Sequence, residues 1–204
     1  MNQTLFEKIW NQHSIKNLGD GNELIYIDRI FLHERTGSIA LKSLEERNID
    51  IRNPSQVFAT IDHIVDTFPG RGDTTLMPTG TDFIKSLRAS VEGSTINFFD
   101  LNNPNQGIVH VVSPEQGIAL PGITYICPDS HTCSLGALGT LAWGVGSTEC
   151  EHALATNTLI KKKPRLMKIN IEGELPIGVT AKDIVLYLIS QFGSNGAAGY
   201  AVEF

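Results

Sequence analysis

Residues 127–133 run Cys-Pro-Asp-Ser-His-Thr-Cys, and Gly136, Gly139, Gly144 and Gly146 follow close behind. Asp129, Ser130 and His131 thus place an acid, a hydroxyl and an imidazole side by side, directly after an apolar, β-branched run, Gly122-Ile-Thr-Tyr-Ile126, that reads as a buried strand. In open α/β sheets, ligands bind in the crevice at the carboxyl ends of the strands. Asp62-His63 is a second acid–imidazole pair, placed where the strand-like Val57-Phe-Ala-Thr60 ends. A carboxylate beside a histidine orients the ring and raises its basicity, which is what general acid–base chemistry requires of a group that titrates near neutrality. Asp28, Asp100 and His110 also fall at predicted strand ends or within strands. For Asp28 and Asp100, turn and capping chemistry is the simpler explanation.

Other motifs carry less. Cys127, Cys133 and Cys150 form no C-x-x-C, so they support neither a zinc ribbon nor an iron–sulfur motif of their own, and they read as buried structural thiols. The glycines from Gly136 to Gly146 do not fit G-x-G-x-x-G, so they do not signal a dinucleotide site. Arg71-Gly72-Asp73 matches an adhesion tripeptide by coincidence of composition.

The elements that must hold these residues alternate between strand and helix. Thr4 and Glu7 form a capping box ahead of a helix over Leu5–Trp10. Strands are expected at 24–27, 57–60, 96–99, 108–112 (carrying His110) and 122–126. Helices are expected from Thr36 to Arg47, from a Thr81 cap through Val91, and from Thr148 to about Ile160. This βαβ rhythm predicts a three-layer α/β/α fold with a largely parallel sheet. A boundary falls at Lys161–Pro164, giving a first domain over 1–163 and a βαβ segment over 164–204, with a strand at 167–171, a helix capped by Thr180 and a strand at 200–204. One βαβ unit cannot cover both faces of its strands, so the second segment reads as a domain cut short, leaving Ile169, Ile171, Val202 and Phe204 to be covered.

The 204 residues carry a formal net charge of −6 and no extended basic stripe, which argues against a nucleic-acid-binding face. The run Lys161-Lys-Lys163 reads as a solvated linker. No apolar run is long enough to span a bilayer, and an odd cysteine count favours a reducing compartment, hence the cytoplasm.

Several long stretches together identify a family. Leu-Ile-Tyr-Ile-Asp-Arg (24–29), Phe-Ala-Thr-Ile-Asp-His (58–63), Asp-Leu-Asn-Asn-Pro-Asn-Gln-Gly-Ile-Val-His (100–110), Ser-Pro-Glu-Gln-Gly (113–117), Cys-Pro-Asp-Ser-His-Thr (127–132), Glu-His-Ala-Leu-Ala-Thr (151–156), Gly-Val-Thr-Ala-Lys-Asp-Ile (178–184) and Ala-Val-Glu-Phe (201–204) resemble the large subunits of 3-isopropylmalate dehydratases, in the aconitase family of hydro-lyases. The resemblance covers nearly the whole chain. It implies an aconitase-like iron–sulfur domain followed by the start of a second, and a stereospecific isomerisation of 2-isopropylmalate and 3-isopropylmalate by dehydration and rehydration, in leucine biosynthesis.

The resemblance also implies three histidine–carboxylate pairs: Asp62 with His63, Asp129 with His110, and Glu203 with His131. Ser130 matches the serine that holds a substrate carboxylate, and Ser134 stands where the aconitase pattern has a substrate-contacting asparagine. Family members carry a 4Fe–4S cluster on cysteines of a Gly-Ser-Cys-Thr-Asn and a Cys-x-x-Cys stretch, neither of which occurs here, so no metal ligand is assigned in this chain. The implied partners are a small subunit, which brings the base serine, and a small dicarboxylic hydroxy acid. Two alternatives stand beside this reading: a related citraconate or methylmalate hydratase, and a non-catalytic remnant or interaction protein.

Overall fold

The computed structural model describes residues 2–204. They form two compact units that divide between Lys161 and Lys162. The centre of the first unit is a five-stranded sheet in the order β5-β4-β3-β6-β7, with every neighbouring pair parallel. Its strands are β3 (Arg29–His33), β4 (Val57–Thr60), β5 (Asn97–Phe99), β6 (Thr124–Cys127) and β7 (Leu141–Gly144). β3, β4 and β6 are almost wholly buried and correspondingly rich in Ile, Val, Phe and Leu, as strands covered on both faces must be.

Helices cover the two faces. On one side, α2 (Gly37–Glu46) follows β3 so closely that a Cβ on Gly37 would lie 2.8 Å from Leu32 Cβ. Alongside it pack α3 (Gly80–Val91), through Ile84, Leu87 and Val91, and α5 (Ser147–Thr156), through Cys150, Ala153 and Leu154. On the other side, α4 (Val109–Glu115) presents Val109 and Val112 to Phe31, Tyr125, Cys127 and Leu135. Successive residues of β3 thus serve opposite layers, Phe31 one and Leu32 the other, so the architecture is three-layer α/β/α. Complete burial of Phe31 alone contributes roughly 2–3 kcal/mol.

A smaller sheet, in the order β1-β2-β8, joins β1 (Ser14–Gly19), β2 (Asn22–Tyr26) and β8 (Thr158–Lys162), with β1 and β2 an antiparallel hairpin turned at Asp20-Gly21 in the left-handed region. α1 (Leu5–His13) precedes it, and its Thr4–Glu7 capping box is formed in both directions.

Several expected elements are corrected. The strand over 24–27 belongs to this hairpin and stops at Tyr26, while the central strand of the parallel sheet is Arg29–His33. The expected strand at 108–112 is helix α4, which places His110 on a helix. β-Branched residues favour strands locally, but Val109 and Val112 lie three apart and share one buried helical face, while Ile108 and Val111 are exposed. Thr81 is not a cap: it lies inside α3, whose first turn is entered from Thr79 in the left-handed region, and its hydroxyl donates to the Asp73 carbonyl. The helix expected to reach Ile160 ends at Thr156, because Asn157 adopts a left-handed cap and releases the chain into β8.

The second unit is a βαβ motif: β9 (Arg165–Lys168) and β10 (Tyr200–Glu203) pair in parallel, and α6 (Ala181–Phe192) joins them. Thr180 and Asp183 close a capping box at its start, and Gly193 ends it. No residue of α6 is fully buried, and Val185, Ile189 and Phe192 are exposed, as are Ile171 and Phe204. No helix among the described residues is long and apolar enough to cross a membrane.

Candidate active site

Three neighbouring strands of the parallel sheet, β4, β3 and β6, deliver the chemistry-bearing residues to one edge. β4 ends at Thr60, whose hydroxyl meets the Phe99 and Gly107 carbonyls, both at 3.2 Å, and ties the strand end to β5 and to the approach to α4. Two residues on, Asp62 points one carboxylate oxygen at the Val109 amide (2.8 Å), capping the first turn of α4, and the other at His63 Nδ1 (2.6 Å). That cap fixes the helix that carries His110. β6 runs into Pro128-Asp129, and Asp129 becomes the centre of the site. Its Oδ2 meets His63 Nε2 at 2.8 Å; its Oδ1 meets His110 Nε2 at 2.8 Å and accepts the His131 amide at 2.7 Å.

The turn that carries Asp129 is pressed against the end of β7. A Cβ on Gly144 would lie 2.4 Å from the Asp129 carbonyl oxygen, so only glycine allows this approach. The Thr132 hydroxyl closes the turn from within by donating to the same carbonyl at 2.6 Å.

The charges follow from these contacts. His63 faces a carboxylate at each ring nitrogen, which only the imidazolium can satisfy with two donors. The Asp62 hydrogen bond is the largest influence; it outweighs burial and, with Asp62, Glu34 and Asp129 nearby, raises the pKa of His63 from 6.5 to about 9. Burial alone would raise the Asp129 carboxyl, but the hydrogen bonds from His110, the His131 amide and His63 override it and hold Asp129 well below the usual carboxylate range. The site at neutral pH therefore contains an ionised Asp129 and a protonated His63.

The remaining predicted residues are placed differently. His131 is 82% exposed, with Nδ1 3.5 Å from Asp129 and 3.3 Å from the Ser130 hydroxyl. Ser130 and Ser134 are exposed beside it, Ser134 on the 3-10 segment Thr132–Leu138. Glu203 lies half-buried on β10 of the second unit.

Asp28 and Asp100 have structural duties. Asp28 accepts the Thr124 amide at 2.8 Å and pairs with His13 at 2.7 Å. Asp100 and Asp73 both grip Arg88, which engages the aspartate of the Arg-Gly-Asp tripeptide inside the fold.

Two residues escaped sequence reasoning. Glu34 is completely buried and His33 nearly so, both at the end of β3. They carry the same signature as Asp62-His63, an acid and an imidazole at a strand's carboxyl end, which becomes visible only with the strand at Arg29–His33 in place of 24–27. Donor atoms of His33, Glu34, Asp62 and His63 lie within 4.8 Å of one another. The set is closed to a cation by its own bonds: Glu34 is occupied by backbone amides, and both nitrogens of the protonated His63 are occupied by carboxylates.

The cysteines do not form a ligand set. Among the described residues the three thiols do not gather within ligand range. Cys127 and Cys150 are buried, and burial pushes the first thiol well up and the second to about 12, away from the thiolate a metal requires. Cys133 is exposed, contrary to its expected burial. These residues do not fit a 4Fe–4S cluster.

Fold and site together define a class of protein: an α/β domain that gathers acid–histidine pairs at the carboxyl edge of a parallel sheet. A model of the aconitase family (aconitate hydratase) matches residues 7–204, and the chain belongs to that family. It is 46% identical over 202 residues to the 3-isopropylmalate dehydratase large subunit 1 of Bradyrhizobium diazoefficiens, an alignment that takes in 99% of this chain and 42% of that protein. The chain thus spans less than half the length of this curated relative.

Proposed function

We propose that this chain supplies the first α/β domain of a hydro-lyase large subunit that interconverts 2-isopropylmalate and 3-isopropylmalate in the leucine pathway of the cytoplasm. The observation that carries the reading is the Asp129 carboxylate, hydrogen-bonded to both His63 and His110 at 2.8 Å with Asp62 behind His63. Kinship with a dehydratase large subunit supports it.

His63 is the proton donor in this reading. Asp62 and Asp129 hold the imidazolium between them, and its proton passes to the substrate hydroxyl as the C–O bond breaks, so that water leaves and His63 becomes neutral. Rehydration reverses the step: water returns its proton to His63 as its oxygen adds to the neighbouring carbon. Asp129, kept ionised, favours the protonated state of His63 and so restores the acid after each turnover. His110, on the same carboxylate, orders the polar side of the cleft. Ser130 holds a substrate carboxylate with nearby backbone amides, Ser134 contacts the substrate, and His131 is the histidine that the family resemblance assigns to a third acid–histidine pair. The carbon proton goes to a serine brought by a small subunit, as the family resemblance implies. Residues 1–163 are the aconitase-like first domain, and 164–204 belong to a second α/β unit. In the family a 4Fe–4S cluster would supply Lewis-acid chemistry; Cys127, Cys133 and Cys150 would not hold it.

The test is conversion of 2-isopropylmalate by the complete enzyme containing this chain and its small subunit, against citraconate and methylmalate as competitors. Preferential turnover of isopropylmalate supports the assignment. Preference for either competitor reassigns the substrate, and absence of turnover on all three overturns the hydro-lyase reading.

A further inference from the structure

The mechanism above uses neither His33 nor Glu34, although they are among the most deeply buried polar residues of the protein. Their place in the sheet is particular. β3 lies between β4 and β6, the two strands whose ends carry Asp62-His63 and Asp129. Glu34 reaches to the β4 side: one oxygen accepts the Asp62 amide at 3.0 Å, and the other accepts the His63 amide at 2.7 Å and the Ile64 amide. His33 reaches to the β6 side: its Nε2 donates to the Pro128 carbonyl at 3.0 Å, one residue before Asp129, and lies 3.1 Å from the Thr36 hydroxyl. The His33 ring also stacks on His63, with centroids 3.9 Å apart and planes 14° from parallel.

We propose that the His33-Glu34 dipeptide positions the proton-transferring pair, Glu34 by fixing the 62–64 turn and His33 by fixing the 128–129 turn and the plane of the His63 ring. The inference rests on the reading of His63 as the proton donor. A buried carboxylate that spends both oxygens on three consecutive amides fixes backbone direction at Asp62 and His63, and so the direction in which their side chains leave. A second contact on the neighbouring strand end sets the opposite half of the same bridge. Removing either contact lets Asp62, His63 and Asp129 drift by an amount that is small in distance and large in proton-transfer efficiency.

The charges agree with this geometry. The groups facing His63 are Asp62 from its own turn, Glu34 and His33 from β3, and Asp129 from the β6 turn, with His110 behind Asp129. Burial, followed by the nearby charge of His63, lowers the pKa of His33, so a neutral ring stacks on a cationic one. Glu34 adds negative charge that favours the imidazolium.

The experiment is nuclear magnetic resonance on the whole chain, following the His63 ring through its titration and the amides of residues 62–64 by hydrogen exchange. Glu34→Gln retains the shape but offers one acceptor where two are used. It should speed exchange at one or more of the three amides by about tenfold, the worth of one hydrogen bond to a charged group. It should also lower the His63 pKa, while the Ile126 amide of β6 stays protected. His33→Phe retains the stack and loses the Pro128 bond, and should shift the Asp129 carboxyl resonance and leave the 62–64 amides protected. Unchanged protection at 62–64 together with an unmoved His63 pKa in Glu34→Gln overturns the proposal. Should the variant fail to fold, the unaltered chain decides: as Glu34 titrates, the amides of 62–64 and the His63 ring must shift with its midpoint, and Glu34 titration without those shifts overturns the proposal equally. Turnover does not enter these readouts, so failure of the hydro-lyase reading would appear separately, in the substrate assay alone.

Discussion

The charge on His63 makes stability in alkali a direct test of the site. Its folded-state pKa is raised, from 6.5 to about 9, by the Asp62 hydrogen bond first and by the surrounding carboxylates. A raised pKa means that the stabilisation is fully present below about pH 6.5, the unfolded value, and is lost as pH climbs through about 9. At about 1.36 kcal/mol per pH unit the rise corresponds to a ceiling of about 3 kcal/mol. The ring is partly open to solvent, with a side-chain exposure of 28%, and screening reduces the realistic contribution to about 1–2 kcal/mol. Both tryptophans, Trp10 and Trp143, lie in the first unit, so fluorescence-detected urea unfolding reports on the unit that holds the site. Between pH 6.5 and 9.5 the wild-type chain should lose about 1–2 kcal/mol more than His63→Gln, in which other alkaline titrations are retained and cancel. Parallel pH profiles for the two proteins would refute the argument that His63 is held as an imidazolium by its carboxylates.

Gly144→Ala should destabilise the first unit by about 1–3 kcal/mol and displace the Asp129 turn, since the added Cβ meets the Asp129 carbonyl oxygen at 2.4 Å; urea unfolding measures the first effect and the His110 ring resonance the second. Anaerobic reconstitution of this chain with iron and sulfide should leave no stoichiometric cluster, because its thiols do not converge; a stable cluster lost on substituting Cys127, Cys133 and Cys150 would contradict that. Thr4→Ala should cost about 1 kcal/mol through loss of the capping box at α1, visible in the same unfolding assay.

Much of the candidate site was legible in the sequence because its residues cluster at strand ends, where apolar runs stop and titratable side chains begin. Asp62 with His63 and Asp129 beside Ser130 and His131 could be singled out on that rule alone. What the rule could not supply was the partner of each group. Four of five residues from Ile108 to Val112 are β-branched and locally favour a strand around His110, and only the buried face shared by Val109 and Val112 makes the segment a helix. His33 and Glu34 are hidden in the sequence for a related reason. The two apolar runs Leu24–Ile27 and Ile30–Leu32 are separated by Asp28 and Arg29, and the first has the stronger local strand pattern although the second is the strand of the main sheet. The long-range bonds that decide the matter, Asp28 to Thr124 and Glu34 to residues 62–64, join segments far apart in the chain and leave no local periodicity. Sharing of Asp129 between two histidines is of the same kind, a property of strand order β4-β3-β6 and not of any one segment.

The measurement that bears most directly on the central claim is turnover of the complete enzyme carrying Asp129→Asn, with cofactor loading matched to wild type. An asparagine keeps the shape of Asp129 but puts an amide NH2 in place of one of the two oxygens that His63 and His110 use separately, and it removes the charge that favours the imidazolium. In this variant kcat should fall by roughly 10²–10⁴-fold, the range expected for loss of an acid–base arrangement, with folding of the first unit preserved. Wild-type turnover in the folded Asp129→Asn enzyme would show that this carboxylate does not organise the chemistry and that the site lies elsewhere.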